Sequence, residues 1–133
     1  MSTKRSIYVQ FRKEGIHCYP DAATNPKLAT GGWDDVSFLA NKHRHIFHYR
    51  VQIEVFHNDR DLEFIQVLRQ CEKWLDEGDL DINSKSCEML GEDLYEKLIA
   101  KYPNRDMIIE VSEDGENGCV IEYHHSAHLG QFN

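Results

Sequence analysis

Long apolar runs, paired cysteines and an excess of positive charge are all missing from this 133-residue chain. Because no 18 consecutive residues are apolar and the N-terminus lacks the apolar centre of a signal peptide, we expect neither a membrane span nor secretion. The formal net charge of −8 argues against a nucleic acid or an anionic membrane as partner. The four cysteines show no Cys-x-x-Cys spacing, which favours free thiols and a reducing, cytoplasmic location.

The chain does have the size and composition of one globular domain. At 41% hydrophobic and 29% charged residues, it can bury a core without disulfides. We expect one domain over residues 1–123, with a core at 36–123 and an N-terminal arm and loop at 1–35. Residues 124–133 are expected to form a loose tail.

Apolar periodicity predicts strands first, then two helices, then two more strands. The strand candidates are residues 7–11, 16–19 after a turn at 13–15, 36–40, 45–56, 107–111 and 119–123. Helical spacing predicts one helix from a cap at 58–61 to Gly78, and a second from Ser84 or Ser86 to Tyr102. The predicted fold class is α+β, with an antiparallel four-stranded sheet, two helices on one face and an extra N-terminal strand arm.

Three histidines, His43, His45 and His48, fall within six residues at the start of the long predicted strand. Residues two apart on a strand share a face, so His43 and His45 can chelate a metal ion together, whereas His48 belongs to the opposite face. Zinc needs three or four nitrogen, sulfur or oxygen ligands. His17, Glu63 or His48 could complete the set, although His48 would have to offer its nitrogen from the opposite face. The alternative is that these are pocket or interface histidines hydrogen-bonded to carboxylates or water.

Five short segments follow the order and spacing of a known family's motifs. They are residues 38–44 against Phe-x-Ala-x-His, 45–51 against His-Gly-His-x-Tyr-x-Val, 62–68 against Val-x-Asp-Phe-x-x-Leu-Lys, 86–88 against Thr-x-Glu-Asn, and 109–113 against Val-x-Val-x-Glu-Thr. These motifs belong to the 6-pyruvoyl-tetrahydropterin synthase and 6-carboxytetrahydropterin synthase family. The chain resembles this family, the tunnelling fold, over roughly two thirds of its length.

The resemblance implies a zinc ion held by three histidines and a strand-end glutamate, here Glu113, that holds a pterin. It also implies subunits that close rings into barrels, so we expect a homo-oligomer of three, four or six copies. The chain departs from the family at three points. Phe47 lies where the second histidine of His-x-His is expected, the cysteine ahead of that pair is missing, and residues 75–77 read Leu-Asp-Glu instead of Leu-Asp-His.

Other residues are candidates for ligand binding. A carboxylate such as Glu113 can accept two parallel hydrogen bonds from the N–H and NH₂ edge of a pterin or guanine, although a solvated hairpin acid is the plain alternative. Ligand contacts are also expected, each against an ordinary capping, packing or ion-pair role, at the following residues: Ser86, Cys87, Glu88, Trp33 and Arg50.

Three functions remain open from the sequence. The first, which we prefer, is an oligomer that binds or sequesters a pterin, purine or nucleotide between subunits, as some phage-encoded inhibitors of host defence sequester a nucleotide signal. The second is a zinc-dependent lyase-like enzyme of pterin or deazapurine pathways. The third is a structural or protein-interaction domain in which the histidine face is an interface.

Overall fold

The computed structural model describes residues 2–125, which form four strands, two α-helices and two short 3₁₀ turns. The strands are β1 (Arg5–His17), β2 (His43–Val55), β3 (Met107–Glu113) and β4 (Asn117–Tyr123). The helices are α1 (Phe64–Asp76) and α2 (Cys87–Lys101), and the 3₁₀ turns are Pro20–Ala23 and Ser37–Ala40.

The strands form one antiparallel sheet in the order β1-β2-β3-β4. Along β2, Phe47, Tyr49, Val51 and Ile53 are buried while the residues between them are partly exposed, so the sheet has one covered face. Helix α1 packs on β1, and α2 packs on β3 and β4. The predicted α+β class, with a four-stranded antiparallel sheet and two helices, is confirmed.

The N-terminal strand differs from its prediction. Residues 13–15 were expected to form a turn between two arms, but β1 runs unbroken through them and pairs with β2 along its whole length. Gly15 has a packing role instead, because a Cβ atom there would lie 2.8 Å from Cε2 of Phe47. Val9 and Phe11 of the same strand are buried in the core.

The strand predicted at residues 36–40 is wrong, since this segment contains a 3₁₀ turn. The side chain of Asp35 turns the chain, accepting hydrogen bonds from the Ser37 amide (2.9 Å) and hydroxyl (2.6 Å). The sheet still has the four predicted strands, because the N-terminal strand β1 belongs to it and residues 36–40 do not. The turn is tied to the end of β1 by a 2.7 Å hydrogen bond from the Tyr19 amide to the Leu39 carbonyl.

The two helices begin at different kinds of cap. Ser86 caps α2 as predicted, accepting a hydrogen bond from the Met89 amide at 3.1 Å. Helix α1 begins later than predicted, after Glu63, whose side chain accepts from the Ile65 amide. The predicted cap region ends at Asp61, and that carboxylate accepts instead from the Phe56 amide and from the Arg105 guanidinium.

The core lies between the covered sheet face and the helices. Its most deeply buried side chains include Phe47, Val51, Ile53, Val67, Cys71, Leu98, Met107 and Ile109. All four cysteines are free thiols. Within residues 2–125, no helix has both the length and the apolar character needed to cross a bilayer. The expected loose tail lies, from residue 126 onward, outside the described part of the chain.

Candidate metal centre

Three histidines and one glutamate converge at one end of the covered sheet face. They are His17 on β1, His43 and His45 on β2, and Glu113 at the end of β3. One potential ligand atom from each residue lies within 4.8 Å of those of the other three. Ligand atoms around a tetrahedral zinc ion lie about 3.4 Å apart, so small side-chain movements would bring this set to bonding distance. The cluster could therefore hold a metal ion.

Strand register brings these residues together. In the antiparallel pairing of β1 with β2, His17 lies directly opposite His43, and His45 follows on the same face two residues later. In the pairing of β2 with β3, Glu113 lies opposite Phe47. The Phe47 ring lies beneath the cluster, with its centroid 5.3 Å from that of His17 and 5.7 Å from that of His45.

A second segment fixes the outer side of the cluster. Residues 80–83 run beside the end of β1, where the Ile16 amide donates to the Leu80 carbonyl and the Ile82 amide donates to the Ile16 carbonyl, both at 2.9 Å. The chain then continues through Lys85 to the Ser86 cap of α2. The loop between the helices therefore sets the positions of His17 and of the start of α2 relative to each other.

Each histidine places its Nδ1 against an oxygen atom. The acceptors are the Lys85 carbonyl for His17 (2.9 Å), the Asn41 carbonyl for His43 (2.7 Å) and the Asp114 carboxylate for His45 (2.7 Å). A carbonyl oxygen can only accept, so Nδ1 of His17 and Nδ1 of His43 carry a proton, and in the neutral imidazole the lone pair is then on Nε2. This outer arrangement is the one commonly found around metal-binding histidines.

The inner nitrogens of two histidines lack hydrogen-bond partners. Nε2 of His17 and Nε2 of His45 are both buried and make no hydrogen bond. They lie 3.0 Å and 3.5 Å from Oε2 of Glu113, within ion-pair distance but without hydrogen-bond geometry. Lone pairs that face a carboxylate oxygen repel it, and a cation bound between them would remove that repulsion.

The cluster opens on a cleft of about 540 Å³. His17, His43 and Glu113 line its inner end, and the start of α2 lines one wall with Ser86, Cys87 and Glu88. Tyr19, Leu39 and Met89 add apolar surface. A cleft of this size, with a few converging polar groups and apolar walls, is typical of a small-molecule site.

The Cys87 thiol in this wall is a poor nucleophile. Burial, followed by the nearby charge of Glu113, raises its pKa to about 12. At neutral pH the thiol is therefore protonated, and its helix N-terminal position does not offset the burial.

Several predicted site residues lie elsewhere. His48 lies on the opposite sheet face beside Gly115, as its place in the strand predicted. Arg50 lies on that face too, 3.1 Å from Glu110 and over the Tyr8 ring. Trp33 is 98% exposed in the loop before the second 3₁₀ turn, and Glu63 caps α1.

One residue of this site was not singled out from the sequence. Asp114 accepts from the Ile46 amide through Oδ1 (2.8 Å) and contacts Nδ1 of His45 through Oδ2 (2.7 Å). The hydrogen bond from Ile46, followed by that from His45, lowers the pKa of this carboxyl group. The sequence signal was weak, because Asp114 belongs to an acidic turn whose composition suggested only solvation.

Comparison with known proteins identifies no relative: no protein-family model matches the chain, and no curated protein matches its sequence. The interpretation of the site depends on its geometry.

Proposed function

We propose that the protein binds a zinc ion at His17, His43, His45 and Glu113 and holds a small planar heterocycle against it. The observation that carries the proposal is the pair of buried Nε2 atoms that face a carboxylate without hydrogen-bond partners. A buried, half-satisfied polar cluster is costly unless something else completes it. A metal ion would complete it without moving the strands.

The donor set favours zinc over the other common metal ions. Imidazole nitrogens suit zinc and neighbouring late transition metals, whereas calcium and magnesium prefer oxygen ligands. Three histidines with one further position is a common zinc arrangement. A zinc ion in this position would supply a Lewis acid that polarises a carbonyl or hydroxyl oxygen of the ligand.

The cleft supports a heterocyclic ligand. Glu113 lines both the cluster and the cleft; its Oε2 faces His17 and His45, so the other carboxylate oxygen is available to an N–H or NH₂ group at the edge of a ring next to the metal. The first residues of α2 line the same cleft, and N–H groups in the first turn of a helix have no partner within the helix, so those not used by the Ser86 cap can read the remaining edge of a planar ring. These features fit a pterin or purine, as the resemblance to the tunnelling-fold synthases implies.

Binding or sequestration is favoured over the synthase reaction because the cysteine ahead of the family's His-x-His pair is missing and residues 75–77 read Leu-Asp-Glu instead of Leu-Asp-His. With a pKa of about 12, Cys87 does not serve as a base at neutral pH. The alternative is a zinc-dependent lyase related to the 6-pyruvoyl-tetrahydropterin synthases. Turnover of dihydroneopterin triphosphate by the zinc-loaded protein would establish that alternative.

We also propose that the protein assembles into a ring of three, four or six copies. Within residues 2–125, no strand pairs with the outer edge of β4, and the outer edge of β1 is covered only near Ile16. Open edges are avoided in stable monomers, and pairing β1 of one copy with β4 of the next would cover both.

The central test is metal analysis and native mass spectrometry of the purified protein, followed by zinc titration against a competing chelator. We expect one zinc ion per chain and a melting temperature that rises with zinc concentration. At a free zinc concentration of 100 times Kd, the unfolding free energy should be higher by about 2.7 kcal/mol. The double variant His43→Ala/His45→Ala should show neither. A wild-type protein that binds zinc no better than this variant would disprove the metal site.

The ligand is tested separately on zinc-loaded protein. A thermal-shift panel should contain pterins, guanine nucleotides, cyclic dinucleotides and ADP-ribose derivatives. We expect a shift with at least one pterin or purine, and Glu113→Gln should abolish it. If no compound shifts the wild type while zinc does, the metal proposal stands and the heterocycle proposal fails.

A further inference from the structure

We propose that Asp114 is a positioning residue that sets the tautomer and the orientation of His45, and through them the affinity of the cluster for zinc. The inference deepens the proposed metal site and rests on it. His45 differs from the other two histidines in having a carboxylate as the partner of Nδ1. A carboxylate raises the basicity of an imidazole ligand more than a neutral carbonyl does.

The position of Asp114 is set by two backbone hydrogen bonds. Its own amide donates to the Ile46 carbonyl at 2.8 Å, and its Oδ1 accepts from the Ile46 amide at 2.8 Å. Both bonds tie the end of β3 to β2 directly beside His45. With Oδ1 occupied in this way, Oδ2 is left 2.7 Å from Nδ1 of His45.

The backbone conformation at Asp114 suits asparagine as well as aspartate. Its φ is +57°, in the left-handed region where glycine costs nothing and where aspartate and asparagine are the most tolerated of the other residues. Asparagine would therefore make the turn equally well. What asparagine cannot do is accept on both sides of its side chain.

This difference between aspartate and asparagine predicts how Asp114→Asn changes the tautomer of His45 and the affinity for zinc. In Asp114→Asn the amide oxygen can take the Ile46 hydrogen bond, and the NH₂ group then faces Nδ1 of His45 as a donor. His45 must accept that hydrogen bond, which moves its proton to Nε2 and removes the lone pair that a metal would use. The turn keeps its conformation, but Nε2 of His45 can no longer bind the metal.

The test uses the full-length protein and two measurements. Proton–nitrogen NMR of the histidine side chains near pH 8, without metal, reports the tautomer of His45, with the signals assigned through His45→Gln. We expect the Nδ1–H form in the wild type and the Nε2–H form in Asp114→Asn. Zinc affinity should fall about 10- to 100-fold in the variant.

The matched control is Glu116→Gln, which removes one negative charge from the same exposed turn. It should leave the His45 tautomer unchanged and alter zinc affinity by less than about threefold, because exposed charges contribute little. An unchanged tautomer in Asp114→Asn would overturn the inference, as would an equal loss of affinity in Glu116→Gln. Because the tautomer is measured without metal, failure of zinc binding in the wild type would count against the metal site alone.

Discussion

The two ends of β2 both carry polar side chains, but the two clusters differ in how their charges are balanced. At the end near Val55, the Arg105 guanidinium donates to the Glu54 carbonyl and to Asp61, both at 2.9 Å, and it lies over the Phe56 ring. At the opposite end, Nε2 of His45 faces Oε2 of Glu113, another acceptor, at 3.5 Å without hydrogen-bond geometry.

This difference separates a structural cluster from a candidate binding site. The arginine cluster contains a cation and its counter-charge, Asp61; Nε of Arg105 is also buried without a hydrogen-bond partner, but the charge of the guanidinium is balanced within the cluster. In the histidine cluster, the lone pairs of neutral imidazoles and the Glu113 carboxylate are all acceptors, so the cluster could hold a cation. Groups buried without partners at a cleft are where a ligand is expected, because folding alone gains nothing from them.

The largest expected effect comes from removing a histidine of the metal cluster and comparing the result with the loss of a histidine near the arginine cluster. His17→Ala should lower zinc affinity by at least about 100-fold, more than the loss of an orienting residue causes. His57→Ala is the control, since His57 is an exposed histidine that faces Asp61 at 3.8 Å. Equal zinc affinity of the two variants in chelator competition would remove the distinction between the clusters.

An intermediate effect is expected at the contact beneath the histidines. Gly15→Ala would push a methyl group against Phe47, so we expect a loss of about 1–3 kcal/mol in unfolding free energy, measured by chemical denaturation. Because Phe47 supports His17 and His45, zinc affinity should also fall. Gly32→Ala, where a Cβ has no neighbour closer than 3.7 Å, should change neither quantity.

The smallest effect concerns acid sensitivity at the arginine cluster. The hydrogen bond from Arg105 lowers the pKa of Asp61 below its ordinary value of 3.8. A lowered folded-state pKa stabilises the protein above pH 3.8, and this contribution is lost as the pH falls through the folded-state value.

The melting temperature of Asp61→Asn should therefore be lower than that of the wild type near pH 7, and the gap should narrow below about pH 4. Asp59→Asn is the control, because Asp59 is exposed and pairs only with its neighbour Arg60 among the described residues. A gap for Asp61→Asn that stays constant from pH 7 to pH 3 would contradict this account.

The sequence predicted elements better than the pairing between them. Helical periodicity located α1 and α2, and the Ser86 cap was predicted correctly. The predicted turn at Gly15 was wrong, because a glycine can allow a close contact as well as a turn. The predicted strand at residues 36–40 was wrong, because a side chain that accepts a hydrogen bond from the backbone, here Asp35, can turn an apolar segment.

The histidine site shows the same limit. Residues two apart share a face anywhere along a strand, so strand geometry does not say where a His-x-His motif should be aligned. It can be aligned with His43 and His45, or with His45 and Phe47. The resemblance described under sequence analysis aligned the motif with His45 and Phe47. In the structure the pairing of His17 with His43 brings together His17, His43 and His45, and it leaves Phe47 beneath them.

By itself, the sequence determined the fold class, the face shared by His43 and His45, and the separation of His48 from them, because these follow from periods of 2 and 3.6 residues within single elements. The tertiary structure decided that His17, and neither Glu63 nor His48, joins that pair, that Glu113 belongs to the same cluster, and that Asp114 contacts His45. Those contacts depend on strand register and on the loop at residues 80–85, and both are set by packing between segments distant in the chain.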